Sequence, residues 1–212
     1  MKEQLTEAFR LFYEERFDEA EQLYRACLSE AEEGSQDAKT ALHGLGFTLS
    51  MKGEYIEAIA CYENLLLSAI KEQNHLSEAV ALHQIGMVCR MNNDYALAKD
   101  YFQREKNVRE QSLLDDHIGF SANAYEFGLI ALHENRLEES LQYFNEAIEQ
   151  GNLAKDHMCI ACAYRGKGQY YEAAENKDEA KESFQKSVHH FLEAGDEKGA
   201  AEVQEMIRSL NE

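Results

Sequence analysis

One recurring pair of residues constrains this chain more than any other feature: a small residue followed four positions later by an aromatic one. Successive pairs are separated by 38, 40, 42 and 40 residues. The five pairs are Ala20/Tyr24, Ala58/Tyr62, Ala98/Phe102, Ser140/Phe144 and Ala180/Phe184. Self-similarity at such a period is typical of repeat proteins, in which one supersecondary unit is stacked several times.

Each repeat has the pattern of a helical hairpin. Between residues 41 and 62, two apolar stripes with helical spacing are separated by a short break at Lys52, Gly53 and Glu54. A glycine stands twelve residues before four of the five pairs, at Gly46, Gly86, Gly128 and Gly168, and Ala8 takes this place in the first repeat. We expect the glycine and the small residue to lie where the two helices of a hairpin cross closely, with the aromatic ring filling the wedge below.

These residues resemble the tetratricopeptide repeat (TPR) family. The second repeat reads Leu42-x2-Leu45-Gly46-x2-Leu49…Ala58-x3-Tyr62, close to the family pattern W-x2-L-G-x2-Y…A-x3-F. The chain departs from that pattern in two ways, because its period is near 40 instead of about 34 and it contains no proline. Both departures are similar to the long-repeat subclass found in kinesin light chains and bacterial peptide-sensing regulators.

The resemblance implies an all-α fold: a right-handed α-α superhelix, or solenoid, of five TPR-like hairpins with a C-terminal capping helix. We expect one domain over residues 1–212. Its repeats should cover about 2–34, 38–73, 76–112, 116–151 and 156–194, with the capping helix at about 197–210. Ser35 or Asp37, and Asp115 or Asp116, are candidate helix N-caps, and Gly151-Asn152 is the expected end of a helix.

Charge and composition exclude several classes of partner. The net charge is −19, from 40 acidic and 21 basic residues, which argues against nucleic acid and anionic membranes as ligands. The first ten residues lack the apolar core of a secretory signal, and a cytoplasmic location is expected. The five cysteines are expected to be reduced, mostly at packing positions between helices.

In TPR arrays the first helix of each hairpin lines the concave face, and the resemblance implies a groove there. The thirty inward frame positions hold three Lys or Arg and two Glu, so the groove is nearly neutral within an acidic chain. This favours a protein or peptide segment with apolar anchors. The predicted binding residues are Phe9, Tyr13, His43, Phe47, Met51, His83, Met87, Arg90, Tyr125, Leu129, His133, Arg165 and Gln169.

Alternatives remain for parts of this groove. The stripe of Phe9, Phe47, Met87 and Leu129 could serve only as packing within the superhelix. His43, His83, Arg90 and Arg165 could take a carboxylate or backbone carbonyls. The Lys and Asn positions of the chaperone-binding TPR subclass hold Leu5, Phe9, Gly44, Val80 and Gln84 here, which argues against binding of Hsp70 or Hsp90 tails.

The first helix raises a second question, because Phe9, Leu11, Phe12, Tyr13 and Phe17 crowd an edge with no preceding neighbour. They either pack on their own hairpin and on the next one, or form a surface through which the chain makes a homodimer.

No residue pattern predicts catalysis or a cofactor. Cys159-x2-Cys162 lies within a helix near His157, but a structural zinc site needs four ligands. Neither His189-His190 nor the frame-equivalent His43 and His83, with His133, make a compelling metal site. A glycine-rich phosphate loop and a nucleophile elbow are both missing. We therefore expect a non-catalytic protein- or peptide-binding scaffold without metal or cofactor, and the alternative is a peptide-sensing regulatory protein resembling the TPR part of quorum-sensing regulators.

Overall fold

A computed structural model describes residues 1–210, and all of its regular secondary structure is α-helical. The last two residues of the expected 1–212 domain lie outside the described part. The helices are α1 (Lys2–Tyr13), α2 (Phe17–Glu30), α3 (Gln36–Met51), α4 (Tyr55–Lys71), α5 (His75–Met91), α6 (Tyr95–Ser112), α7 (His117–His133), α8 (Leu137–Ala154), α9 (His157–Ala173), α10 (Lys177–Glu193) and α11 (Glu197–Ser209). The expected fold class, an all-α superhelical repeat fold, is confirmed.

The chain divides into two compact units within α6, and each unit is described separately below. Unit 1 comprises residues 1–108 and unit 2 begins at Arg109. In unit 1, α1 packs on α2 and α3, and α4 packs on α3 and α5. In unit 2, α7 packs on α8 and α9, α9 packs on α8 and α10, and α10 packs on α11.

Side-chain caps begin most of the helices that open a hairpin. The Ser35 hydroxyl accepts from the Ala38 amide and so caps α3. Asp116 accepts from the Gly119 amide at the start of α7, and Asp156 accepts from the Cys159 amide at the start of α9. Of the two candidates offered by the sequence at each site, Ser35 and Asp116 are thus the N-caps.

The expected helix end at Gly151-Asn152 is wrong. Helix α8 continues to Ala154, and Lys155 then leaves it in the left-handed region with φ of 55°. Gly151 is buried inside the helix, where an added Cβ would lie 3.0 Å from Cγ1 of Ile160 on α9. This glycine therefore permits a close approach of α8 and α9 instead of ending a helix.

The aromatic residue of each repeat forms the centre of its hairpin. Phe144 is inaccessible to solvent and lies between two glycines, Gly128 on α7 and Gly166 on α9. A Cβ added at Gly128 or Gly166 would lie 2.6 Å or 2.3 Å, respectively, from Cε1 of the Phe144 ring. The small residue Ser140 also reaches this crossing, since its hydroxyl donates to the Gly128 carbonyl over 2.9 Å. The glycine and the small residue thus meet at the crossing as expected, and the ring packs directly against the glycine.

Helix α11 closes the core of unit 2. Ala200, Val203 and Leu210 are buried, and Ile207 packs partly buried beside them. Phe191 of α10 belongs to the same cluster. Among the described residues, no helix is long and apolar enough to cross a membrane.

Candidate functional site

A cavity of about 460 Å³ opens in unit 1 between α3, α4 and α5. We call it the α3–α5 cavity. Each helix contributes residues spaced three, four or seven positions apart, as one face of a helix requires. The lining residues are Gln36, Lys39, Thr40 and His43 of α3, Leu65, Ser68 and Ala69 of α4, Glu72 and Asn74 of the turn, and Leu76, Ser77, Val80 and Ala81 of α5.

Small side chains create this space. Ser68 and Ala69 of α4 face Ser77 and Ala81 of α5, so no bulky group fills the gap between these helices. Leu65, Leu76 and Val80 supply the larger apolar side chains of the wall, and apart from the two alanines the other lining residues are polar or charged. The volume falls within the range of about 300–1,000 Å³ in which proteins hold ligands.

The charged groups at this cavity neutralise each other. The Lys39 ammonium lies 2.7 Å from both carboxylate oxygens of Glu72, and the Ser68 hydroxyl donates to the same carboxylate over 2.8 Å. The hydrogen bonds from Lys39 and then Ser68 lower the pKa of Glu72. The Thr40 hydroxyl is also occupied, since it donates to the Gln36 carbonyl. The cavity therefore presents no unpaired formal charge from these residues.

His43 is a polar lining residue of the α3–α5 cavity, and its side chain remains accessible to solvent. Its ring meets the Tyr62 ring edge-on, with centroids 5.7 Å apart and an interplanar angle of 79°. Desolvation by the surrounding protein lowers the pKa of His43. At neutral pH this imidazole is therefore uncharged, and it offers one donor and one acceptor but no cation for a carboxylate.

The structure distributes the other predicted residues of unit 1 over different surroundings. Phe47 packs on Phe12 with ring centroids 4.8 Å apart, although part of its surface remains accessible. The Nδ1 of His83 lies 2.9 Å from Oε2 of the buried Glu105. Met87 and Arg90 are partly buried. Phe9, Tyr13 and Met51 are exposed, at 61%, 62% and 47% of their surface.

In unit 2 two of the predicted residues meet directly. The Nη2 of Arg165 on α9 donates to the Tyr125 hydroxyl on α7 over 3.0 Å. Gln169 lies one turn further along α9 and is partly buried. Leu129 is also partly buried, whereas His133 is exposed.

Sequence reasoning missed the part of the α3–α5 cavity that comes from α4. His43 was among the predicted binding residues, but only the first helix of each hairpin was considered. Leu65, Ala69 and Glu72 show the spacing that could have identified them, because they share one face of α4 toward α5.

The cysteine and histidine clusters give no metal site. Cys27, Cys61 and Cys89 are buried, and all five cysteines are free. Burial raises the pKa of Cys61 and Cys89 to about 11, so these thiols are protonated at neutral pH. Within residues 1–210, no group of three or more His, Cys, Asp or Glu side chains is arranged to hold a metal ion.

Helical hairpins repeated at this period, centred on an aromatic ring between glycines, define a helical-repeat protein. The chain belongs to the tetratricopeptide repeat family, whose model matches residues 37–111 and 120–191, more than half of the sequence. No curated protein sequence matches the chain.

Solved structures show the same fold at low sequence identity. A putative kinesin light chain from Podosopora anserina, with nearly identical TPR-like repeats, superposes with a TM-score of 0.62 at 15% identity, covering 91% of this chain and 95% of that one. BtubC from P. vanneervenii superposes with a TM-score of 0.63 at 13% identity, covering 99% of this chain and 87% of that one. A Rap protein complexed with competence and sporulation factor superposes with a TM-score of 0.65 at 12% identity, covering 96% of this chain and 61% of that one. At these identities the likeness concerns the fold alone.

Proposed function

We propose that this protein is a non-catalytic scaffold that binds an extended peptide or partner segment in unit 1, with an apolar side chain of the segment seated in the α3–α5 cavity. One observation carries the proposal: a cavity with an apolar patch of Leu65, Leu76 and Val80 and no unpaired charge lies within a strongly acidic chain. Burial of an apolar anchor there removes hydrophobic surface from water at both partners.

The distribution of polar groups supports a peptide over a charged small molecule. Lys39 and Glu72 already pair with each other, and His43 is neutral at pH 7. A charged ligand would gain no unpaired counter-ion from these residues. A peptide backbone, by contrast, can use the donor and acceptor of a neutral imidazole.

The free cysteines and the net charge also support a cellular location and a class of partner for the scaffold. Five free thiols support a reducing, cytoplasmic environment. The net charge of −19 supports a protein or peptide partner instead of nucleic acid or an anionic membrane surface.

The test is a selection from a synthetic library of random dodecapeptides, N-acetylated and C-terminally amidated, with the fluorescently labelled full chain as bait. We expect peptides that share an apolar residue at one position. Binding of these peptides should be lost in Val80→Asp, because this change places an unpaired carboxylate in the apolar wall. Val80 is 37% exposed, so the substitution leaves the core intact.

Leu67→Asp provides the matched control. Leu67 also lies on a helix of unit 1 and is 66% exposed, but it does not line the cavity. Equal loss of binding in both variants would place the peptide elsewhere, and a library without binders above background would contradict the proposed function itself.

A further inference from the structure

The three titratable residues that line the α3–α5 cavity are Lys39, His43 and Glu72. Lys39 and Glu72 pair with each other. The imidazole of His43 meets the Tyr62 ring edge-on, but within residues 1–210 neither of its ring nitrogens has a hydrogen-bond partner. Of the three groups, only an imidazole titrates near neutral pH, so a proton on His43 is the change that would give the cavity a net charge.

Among the residues that the structure describes, the one carboxylate that lines the cavity is not free to stabilise a proton on His43. The Glu72 carboxylate already accepts hydrogen bonds from the Lys39 ammonium over 2.7 Å and from the Ser68 hydroxyl over 2.8 Å. Lys39 itself, one turn earlier on α3, carries a charge of the same sign as an imidazolium. The lining residues of α5 do not titrate; they are Leu76, Ser77, Val80 and Ala81.

Two tyrosines of α2 and α4 lie beside this part of α3, and both stay neutral. Burial raises the pKa of Tyr62 on α4, so this phenol keeps its proton. Tyr24 on α2 lies against Gly44, the residue after His43, and burial raises the pKa of this phenol too. Accordingly, desolvation alone lowers the pKa of His43, without a contribution from any charged group.

A bound apolar side chain would remove the water that remains around this imidazole. His43 is accessible in the free protein, and it shares the cavity with the apolar patch of Leu65, Leu76 and Val80. A side chain seated on this patch shields the ring from water, and burying a charge without an anion beside it is unfavourable. An imidazolium also lacks the acceptor nitrogen that a neutral imidazole offers to a peptide N–H. Both effects favour the unprotonated ring in the complex.

We propose that a proton on His43 weakens the binding of the partner segment, so that the α3–α5 cavity releases its ligand as the pH falls below neutrality. This inference rests on the proposed function and adds a mode of regulation to it. Because the segment binds the unprotonated ring more tightly, binding and protonation oppose each other. The affinity is therefore constant above the pKa of His43 in the free protein, and below this pKa it falls by up to about tenfold for each pH unit.

The experiment compares wild type, His43→Gln and the control His75→Gln, using one peptide from the acetylated and amidated library that contains no His, Asp, Glu or Cys. His75 is exposed at the start of α5 and does not line the cavity. NMR first gives the pKa of His43 in the free protein, and calorimetry then gives the affinity one pH unit above and one pH unit below this pKa. We expect the affinity to fall at least about threefold in wild type and in His75→Gln, and to stay constant in His43→Gln. Circular dichroism at both pH values establishes that each variant is folded.

A second measurement needs no variant, and it decides the matter if His43→Gln does not bind. In the wild-type complex, the pKa of His43 should lie below its value in the free protein. Three results would overturn the inference and leave the proposed function standing, provided that the peptide shifts the Val80 methyl resonances. They are equal affinity at both pH values, the same fall in His43→Gln as in wild type, and an unchanged or raised pKa of His43 in the complex. A library without binders would contradict the proposed function and this inference together.

Discussion

Lys39 on α3 reaches across to Glu72, the residue that follows α4, and its ammonium lies 2.7 Å from the carboxylate; both residues line the α3–α5 cavity. The pair connects the start of α3 with the end of α4, the two helices of the second hairpin. The two charges neutralise each other, and the cavity that both residues line remains open.

Removal of this ion pair should have little effect on folding. Exposed pairs contribute little to stability, so Lys39→Met should leave the midpoint of urea unfolding nearly unchanged. The substitution should also give the cavity a net negative charge, because the Glu72 carboxylate loses its ammonium partner. A clear fall of the urea midpoint would show that the pair holds α3 and α4 together.

The ring of Phe144 should make Gly166 intolerant of a methyl group. A helical Gly→Ala change normally stabilises by about 1 kcal/mol, but here the Cβ would lie 2.3 Å from a ring that has no room to move. Overpacking costs about 1–3 kcal/mol, and we expect Gly166→Ala to destabilise unit 2 by about 1–2 kcal/mol in thermal unfolding. In a Phe144→Leu background the same change should cost less, and an equal cost in both backgrounds would argue against the ring as the cause.

His43 should make the protein less stable in mild acid. Desolvation lowers its pKa in the fold below the unfolded value of about 6.5, so the unfolded chain binds more protons. The contribution of neutral His43 is present above about pH 6.5 and is lost as the pH falls through the lowered pKa. Wild type should therefore lose more stability than His43→Gln between pH 7 and pH 5. Identical pH profiles, or an imidazole that titrates above 6.5 by NMR, would contradict this.

The exposed rings of α1 should mediate self-association. Phe12 is covered by Phe17 and Phe47, but Phe9 and Tyr13 remain more than half exposed one turn apart. Aromatic surface of this kind favours contact with a second copy of the same chain. Light scattering should give a mass that rises toward the dimer with concentration, and Phe9→Ser with Tyr13→Ser should abolish the rise. Ile56→Ser, at an 86% exposed position, is the control, and a wild type that stays monomeric throughout would rule out the contact.

Periodicity predicted the fold because repeats multiply a weak local signal. Tyr24, Tyr62, Phe102, Phe144 and Phe184 are all buried, and each was identified from spacing alone. Residue type also predicted the N-caps at Ser35 and Asp116, where the side-chain oxygen accepts a hydrogen bond from the backbone amide three residues later. The predicted helix end at Gly151 was wrong, because a glycine that permits close helix packing looks the same in a sequence as one that ends a helix.

Less of the α3–α5 cavity could be predicted from the sequence. His43 was predicted from its frame position, but the wall formed by Ser68 and Ala69 depends on which small side chains face each other across two helices. The pairing of Lys39 with Glu72 depends likewise on an approach between residues 33 positions apart. Such contacts arise from tertiary packing, and a one-dimensional pattern does not encode them directly.

The location of the bound segment is measured most directly by methyl NMR of the full chain with a dodecapeptide selected from the amidated library. We expect the methyl resonances of Leu76, Val80 and Ala81 to shift on titration, while those of Leu67 and Ile56 in the same unit stay in place. If the peptide binds with the same affinity but leaves Leu76, Val80 and Ala81 unshifted, then the α3–α5 cavity is not where this protein holds its partner.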